Sequence, residues 1–521
     1  MRFHIHTYGC QMNVRDSEAV EALLLAAGHE KAAGEADADL VIVNSCTVRQ
    51  KAEEKAVGKA GYLCSTGKIV GLMGCAVRRM GEQVFTRLPK LDFAVGPRCF
   101  GLIPKIVNEI VSQRADAAQR GRDIPTHAAQ RGCTAQRGRD TPTHAAQRGC
   151  TAQRGRDIPV ACIKKAPTAF PRLYLSDDVP TGLDAHPVTQ RAGTFAAVQS
   201  YVTVLLGCDN RCSYCIVPDV RGHEYSRPAK EVIAEVKCLA ERGVKEVCLL
   251  GQSVLRYGVR NRAWDADEPN PHGYAEAFPR LLAALNEIPG LERIRFTSAH
   301  PKGCTDELVR VYRECPKVCR HLHLPVQSGS GRVLAEMGRH YTRAEYLAAV
   351  KKLRDFDPEF AVTTDVIVGY PGETEEDFEA TRSLMEEAGF DNAFVFKYSP
   401  RPGTRSAALE DDVPKEEKER RDQVLLADQE ARGQRRNEAL VGTVREVMVE
   451  GPSKRNKSRW SGRDSGNRIV VWDVEENEKL KMGNGGCASG RARTPAAPQV
   501  GSLLRLKILE AHPQILIGTP V

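Results

Sequence analysis

The chain has 521 residues, 41% hydrophobic and 27% charged, with 17 cysteines and a formal net charge of +8. That length exceeds what a single core can serve, so roughly two to four domains are expected. The composition is that of a globular protein and excludes a fibrous or wholly disordered chain. No stretch reaches the apolar length of a membrane span. The N-terminal MRFHIHTYGC lacks the apolar core and cleavage site of a secretory signal, so a cytoplasmic protein is expected. In that reducing compartment, cysteines at fixed spacings point to metal or redox chemistry, and an odd number cannot all pair. The positive charge is a weak pointer to a polyanionic partner.

Residues 1–113 repeat a strand–cysteine–helix unit three times. Residues 3–7 alternate and precede Cys10; Asp16 or Ser17 is placed to cap the next helix and Gly28 to end it. Residues 40–43 form the short apolar run of a buried parallel strand and precede Cys46, and residues 69–73 precede Cys75. Strands alternating with helices predict an open parallel sheet. Such sheets gather ligands beyond their carboxyl ends, so one edge could collect Cys10, Cys46 and Cys75. Each could equally be a small buried residue.

Residues 114–193 read as a low-complexity insert and linker. AAQRGRD occurs at 117–123, and AAQRGCTAQRGRD begins at Ala128 and again at Ala145. Without aromatics and with few apolar residues, the repeat builds no core. Cys133 and Cys150 inside it are not expected to be ligands, and an Arg-rich RNA-contacting arm is the alternative use.

Residues 194–432 contain six strand-like runs, at 201–206, 247–250, 293–297, 321–324, 361–368 and 393–398, separated by helical patterns. This predicts a βα-repeat part-barrel with too few units for an eightfold one. His321 and His323 on the fourth run are assigned to opposite faces, one packing and one lining the barrel. Residues 415–437 form a highly charged helix. Residues 433–521 switch to short alternating runs at 444–449, 468–472 and 503–509, which predict a small antiparallel barrel. A second low-complexity stretch, 483–498, interrupts it.

The sharpest chemical signal is GCDNRCSYC at 207–215, which places Cys208, Cys212 and Cys215 directly after the first strand of the βα region. Thiolates are the natural ligands of iron–sulfur clusters. So short a loop can wrap one cubane and ligate three irons, leaving the fourth open to substrate. The bland alternative is a zinc knuckle completed by His223.

These segments resemble the methylthiotransferases of the radical-SAM superfamily, in particular the MiaB-type tRNA enzymes. The matching stretches are TYGCQMN (7–13), VNSCTVRQKAE (43–53), GLMGCAVRRMGE (71–82) and GCDNRCSYCIVPDVRGHEYSRP (207–228). They continue with HLHLPVQSGS (321–330), TTDVIVGYPGETEEDF (363–378) and YSPRPGT (398–404). GCQMN and CIVPxxRG look like the tRNA branch rather than the ribosomal-protein branch. The resemblance implies α/β architecture: an open parallel N-terminal domain, a radical-SAM (β/α)6 partial barrel, and a C-terminal barrel like the RNA-binding TRAM domain. It implies two [4Fe–4S] clusters, one on Cys208, Cys212 and Cys215 that holds S-adenosylmethionine, the other on Cys10, Cys46 and Cys75 that carries sulfur. Catalysis would then be borne by the cofactors, with methylthiolation at C2 of N6-isopentenyladenosine beside the tRNA anticodon.

The same resemblance suggests S-adenosylmethionine contacts at Gly251 and Gln252, at Gln327 and Ser328, and at Gly369 with Gly372 and Glu373. Plain turn chemistry explains each as well. Where the family reads GQNVN this chain reads GQSVL at 251–255, which weakens transfer of those asparagine contacts. Arg445, Lys454, Arg455, Lys457 and Arg459 would hold an RNA backbone. Cys64, Cys99, Cys162, Cys238, Cys248, Cys304, Cys315, Cys319 and Cys487 match no cluster position. The expected partners are the tRNA anticodon loop and a one-electron donor such as flavodoxin or ferredoxin, with no membrane and a monomeric chain. Two alternatives stand. One is methylthiolation of threonylcarbamoyladenosine in tRNA or of a ribosomal protein; the other is an RNA-binding protein with purely structural clusters.

Overall fold

In the computed structural model, which describes residues 1–48, 50–122, 173–175, 198–473 and 498–521, the three apolar runs that precede cysteines are neighbouring parallel strands. The N-terminal sheet comprises β1 (Arg2–Tyr8), β2 (Glu30–Lys31), β3 (Leu40–Ser45), β4 (Ile69–Gly74), β5 (Phe93–Val95) and β6 (Leu173–Leu175), in the order β2-β1-β3-β4-β5-β6. β3 and β4 are buried at every position, as strands covered on both faces must be. The covering helices are α1 (Gln11–Ala26), α2 (Gln50–Leu63), α3 (Cys75–Met80), α4 (Gln83–Arg87) and α5 (Ile103–Arg122). Ile42 and Phe93 pack with Ile103 and Val107 on one face, and Val43 and Leu72 pack with Ala56 and Ala60 on the other.

Three local readings change. α1 starts at Gln11 with Cys10 as its cap, so Asp16 and Ser17 lie inside the helix; Gly28, at φ 84°, does follow its end. α5 runs to Arg122, past the boundary drawn at 113, because the first Ala/Gln/Arg repeat unit is made of helix formers. β6 comes from the stretch read as linker and pairs in parallel with β5. Three residues are too few for periodicity to reveal. Cys133, Cys150, Cys162 and Cys487 lie outside the described residues.

The six runs of the central region are all strands. The elements in chain order are β7 (Gln199–Thr203), β8 (Leu205–Leu206), α6 (Val217–Arg221), β9 (Tyr225–Ser226), α7 (Ala229–Glu241), β10 (Glu246–Leu250), α8 (Ala277–Asn286) and β11 (Arg293–Phe296). They continue with α9 (Asp306–Glu314), β12 (His321–His323), α10 (Gly331–Glu336), α11 (Arg343–Phe356), β13 (Ala361–Val368), α12 (Glu375–Ala388) and β14 (Asn392–Lys397). Parallel ladders join β7, β10 and β11, and again β12, β13 and β14; a bridge from Ile294 to Val318 connects the two triplets. The result is a part-barrel of six strands. His321 and His323 share a face, both within hydrogen-bond distance of Thr363 Oγ1 at 3.1 and 3.0 Å. Side chains alternate with period two, so residues two apart point the same way; the assignment to opposite faces is corrected.

α13 (Lys415–Glu438) leads to a closed barrel of β15 (Val444–Pro452), β16 (Arg459–Asp464), β17 (Ile469–Asp473), β18 (Leu503–Ala511) and β19 (Ile515–Pro520). Four pairings are antiparallel and β17–β19 is parallel. An odd number of strands closed in a ring cannot alternate direction throughout, so the all-antiparallel expectation is corrected. This barrel docks at the amino ends of the part-barrel strands. Arg293 donates to the carbonyls of Arg463 (2.6 Å) and Glu446 (2.9 Å), and Arg295 to those of Asp464 (2.6 Å) and Ser465 (3.1 Å). Arg445 pairs with Glu359 at 2.7 Å, so it belongs to this docking face and not to an RNA-facing patch.

Candidate metal centres and the junction between them

The cysteines stand at the opposite, carboxyl ends. Register does the gathering in the N-terminal sheet: Tyr8 pairs with Ser45 and Ser45 with Gly74, so the chain leaves β1, β3 and β4 at one edge, at Cys10, Cys46 and Cys75. Two buried amides lock that edge. Asn13 Nδ2 donates to Asn44 Oδ1 at 3.0 Å, and Asn44 Nδ2 donates to the Asn13 carbonyl at 2.8 Å and to Ser17 Oγ at 2.9 Å. Asn13 Oδ1 also accepts from the Cys10 amide and thiol, each at 3.3 Å. Gly74 sits at φ 103°, and a Cβ there would lie 2.5 Å from both Asn44 Oδ1 and the Ser45 carbonyl; only glycine lets the Cys75 strand end approach this lattice.

Cys208, Cys212 and Cys215 occupy the loop between β8 and α6. The Cys208 amide donates to the Gly222 carbonyl at 3.1 Å, closing the loop at its base. That approach depends on Gly207, at φ 66°, where a Cβ would meet the His223 carbonyl at 2.1 Å. His223 is turned to Asp209 Oδ1 at 2.8 Å and its side chain is 66% exposed, so it is not placed as a fourth ligand of a zinc knuckle.

The N-terminal sheet meets the part-barrel at a junction beside both cysteine loops. Cys75 packs against Ile216 and Val220 of the α6 region, while Met12 packs against Cys248 and Leu250 of β10. Arg221, at the end of α6, donates from Nε to Cys75 Sγ at 3.2 Å and from Nη2 to Asp16 Oδ2 of α1 at 2.7 Å. Arg98 returns the link, donating to the carbonyls of Arg221 and His223, each at 3.0 Å. On another flank the loop after β14 reaches the Cys46 loop: Arg401 donates to the Val48 carbonyl at 2.9 Å and Ser399 Oγ to Gln50 Oε1 at 3.0 Å. Behind the junction, Glu235 is clamped between Arg15 (3.2 Å) and Arg227 (2.7 Å), all three side chains buried.

All-thiolate donor sets suit iron–sulfur clusters. Burial pushes the Cys208 thiol up to about 11 and Cys215 up to about 12, and raises Cys75 as well. Cys10 goes the other way, down to about 5, because a hydrogen bond with Cys46 outweighs burial and Arg221 adds its charge. Thiols raised by burial become thiolates at neutral pH only beside a cation. Among the described residues no three His, Cys, Asp or Glu side chains converge as one mononuclear ion would require. A cubane takes each thiolate on a different iron, so its ligands stand farther apart than those of a single ion.

The remaining candidates divide. Gly251 and Gln252 follow β10, buried and half-buried. Gln327 follows β12 in the left-handed region at φ 72°, a costly backbone that clusters at ligand sites. Ser298, after β11 at φ 62°, shares that property and was not visible in the sequence. Ser328 is fully buried, its hydroxyl 3.2 Å from Thr381 Oγ1, a contact that serves the turn. Gly369 and Glu373 likewise serve the turn. The Gly369 amide donates to Glu373 Oε1 at 2.9 Å, and Arg421 donates to the same oxygen at 2.7 Å. None of the seven suggested contacts lines the cavity of about 700 Å³ beside Cys212, whose walls include Arg256, Tyr257, His300, Lys302 and His340. Burial holds His300 down to about 3, so it is neutral there. A second arginine, Arg339, donates from Nη1 toward Cys212 Sγ at 3.5 Å.

Comparison with known proteins identifies the family. The Radical SAM superfamily model matches residues 202–385, and the Uncharacterized protein family UPF0004 model matches residues 2–96. The chain is 38% identical to a tRNA-2-methylthio-N(6)-dimethylallyladenosine synthase of Akkermansia muciniphila, over 91% of this chain and 93% of the relative. It is 39% identical to the protein of that name from Opitutus terrae, over 91% and 92%. Among solved structures it is similar to a radical S-adenosylmethionine methyltransferase, TsrM, from Kitasatospora setae, with TM-score 0.47, 15% identity, and coverage of 78% of this chain and 77% of that one. With its identity and coverage to the curated relatives, the chain belongs to the tRNA-2-methylthio-N(6)-dimethylallyladenosine synthase family of radical-SAM proteins.

Proposed function

We propose that this protein inserts a methylthio group at C2 of N6-isopentenyladenosine, next to the tRNA anticodon, using a [4Fe–4S] cluster on Cys208, Cys212 and Cys215 and a second on Cys10, Cys46 and Cys75. The observation that carries the reading is that Cys75 of one triad packs against Ile216 and Val220, directly after the Cys208–Cys215 loop, and accepts a hydrogen bond from Arg221 of the same helix. Bound there with S-adenosylmethionine, the clusters would supply radical and sulfur chemistry, which an aromatic, unactivated C–H bond requires and side-chain acid–base groups do not provide.

The protein's own residues position and enclose. The Asn13–Asn44 lattice fixes the N-terminal thiolates, and Arg98 and Arg401 hold the two sheets in register. Gly251, Gln252 and Gln327 remain the candidates to contact S-adenosylmethionine. Lys454, Arg455 and Lys457 are exposed in the β15–β16 loop and suit an RNA backbone, while Arg459 is paired with both oxygens of Asp473 at 2.7 and 3.2 Å. An anticodon loop offers bases that can be unstacked for a few kcal/mol. Among the described residues no helix is long and apolar enough to cross a membrane. The proposal includes action in the cytoplasm as a monomer, with flavodoxin or ferredoxin as electron donor.

Two measurements test it. Anaerobic protein should hold about eight irons per chain, and reduction with S-adenosylmethionine should release 5′-deoxyadenosine; none would be released by purely structural clusters. Mass spectrometry of tRNA from a deletion strain should show isopentenyladenosine lacking its methylthio group. Loss instead on threonylcarbamoyladenosine or a ribosomal protein would redirect the substrate assignment.

A further inference from the structure

Arg221 is an expensive residue as built. Its side chain is 5% exposed, and its one carboxylate partner, Asp16, is 13% exposed. A buried ion pair gains little over an apolar pair of the same shape. Its Nε is aimed at Cys75 Sγ at 3.2 Å, and a neutral thiol is a weak acceptor that would not repay desolvating a guanidinium. The arrangement makes sense if that sulfur carries negative charge. Arg221 also occupies a distinctive place in the chain: it ends α6, the helix that begins two residues after Cys215. One side chain therefore runs from the radical-SAM cysteine loop to a cysteine of the other triad.

We infer that Arg221 is a positioning residue of the N-terminal cluster: its guanidinium hydrogen-bonds the Cys75 sulfur and sets a fixed positive charge there, with Asp16 tempering that charge. This rests on the reading that Cys10, Cys46 and Cys75 hold a [4Fe–4S] cluster. Hydrogen bonds to the sulfurs and local charge are levers on cluster potential. A donor and cation beside Cys75 favour the reduced, more negative cluster; removing them favours the oxidised one. Removing the Asp16 charge leaves the cation unopposed and acts in the opposite direction. A purely structural salt bridge predicts no such pair of opposite shifts, because losing either partner would loosen the same contact.

The test uses the full-length chain with Cys208, Cys212 and Cys215 all changed to Ala, so that only the N-terminal triad can load iron. Iron is quantified, then the cluster is titrated anaerobically with dithionite and mediators and followed by electron paramagnetic resonance. R221Q should raise the oxidised-to-reduced ratio at a given potential at least tenfold, a shift of about 59 mV for one electron. R221K, which keeps the charge on a flexible stem but loses the fixed Nε donor, should fall between. D16N should shift the ratio the other way. If R221Q fails to load iron, the direction of the D16N shift decides. Variants that load iron and titrate like their parent, or that shift in the same direction, overturn the inference. A parent that loads no iron overturns instead the assignment of Cys10, Cys46 and Cys75 on which it rests.

Discussion

The two triads are built by opposite strategies. Cys208, Cys212 and Cys215 lie within one loop, closed at its base by a single backbone bond from Cys208 to Gly222. Cys10, Cys46 and Cys75 come from the ends of three strands and meet only because β1, β3 and β4 hold their register. The first needs little more than a short chain segment with Gly207 at its start. The second needs a folded sheet, a pair of buried amides and a neighbour to press against. Each is touched by one buried arginine, Arg221 at 3.2 Å from Cys75 and Arg339 at 3.5 Å from Cys212. The local triad asks little of the rest of the fold. The distributed one is coupled to the stability of everything around it, which suits a centre that must be aligned to another.

The sharpest way to break the comparison is to remove one ligand from each side. Cys212→Ala should reduce 5′-deoxyadenosine formation to background. Cys46→Ala should leave that formation largely intact and eliminate methylthiolation of tRNA. Chromatography of the nucleoside and mass spectrometry of the tRNA read the two activities separately. Equal loss of S-adenosylmethionine cleavage in both variants would argue against separate roles.

Next in size is the clamp behind the junction. Glu235 lies between Arg15 and Arg227, and its removal strands two buried guanidinium groups. Glu235→Ala should cost about 3–5 kcal/mol. Because Arg15 belongs to α1 and Glu235 to α7, the loss falls on the contact between the sheets. Urea unfolding should then show an early transition of the N-terminal sheet that the wild type lacks. An unchanged midpoint would mean that the sheets are held together elsewhere.

The local triad was legible in the sequence because three ligands and the preceding strand fit in one short window. The distributed triad was legible only as three similar strand ends plus a family resemblance; nothing in the spacing of Cys10, Cys46 and Cys75 states their proximity. The six part-barrel strands were readable from their apolar runs. What escaped was long-range. Arg221 meets Cys75 across 146 positions of sequence, and Asn13 meets Asn44 across 31. Arg445 looked like a free basic residue until Glu359 was seen beside it. The parallel β17–β19 pair follows from closing five strands, a property of the ring and not of any segment. His321 and His323 could have been placed together from strand period alone.

A milder change sharpens the distributed side. Asn44 is fully buried and makes three hydrogen bonds, to Asn13 Nδ2, the Asn13 carbonyl and Ser17 Oγ. Asn44→Ala leaves those groups unmet at a cost of about 1–3 kcal/mol. Iron content should fall from about eight toward about four per chain, while 5′-deoxyadenosine formation persists. Retention of all the iron would show that sheet register alone suffices to hold the N-terminal thiolates.

Removing one acid-sensitive carboxylate offers the smallest perturbation. The Asn13–Asn44–Ser17 bonds do not titrate. On the part-barrel side, the turn after β12 is tied to α12 through Asp377, which accepts from Ser330 Oγ at 2.5 Å and the Thr374 amide at 3.0 Å and pairs with Arg332. Burial alone would push its carboxyl up, but these donors outweigh it and hold Asp377 down to about 2. A carboxylate held below its unfolded value stabilises the fold above about pH 4, and that contribution is lost as pH falls through about 2. Arg332 is 45% exposed, so water screens the pair and the contribution is about 1–2 kcal/mol. Asp377→Asn should therefore lower wild-type stability at pH 5 by that amount and flatten the profile between pH 4 and 2. In the Glu235→Ala background, where the two halves unfold separately, the effect should appear in the later transition of the part-barrel and not in the early one of the N-terminal sheet. A parallel shift of both transitions in that background would mean that the two halves stay coupled without the Glu235 clamp.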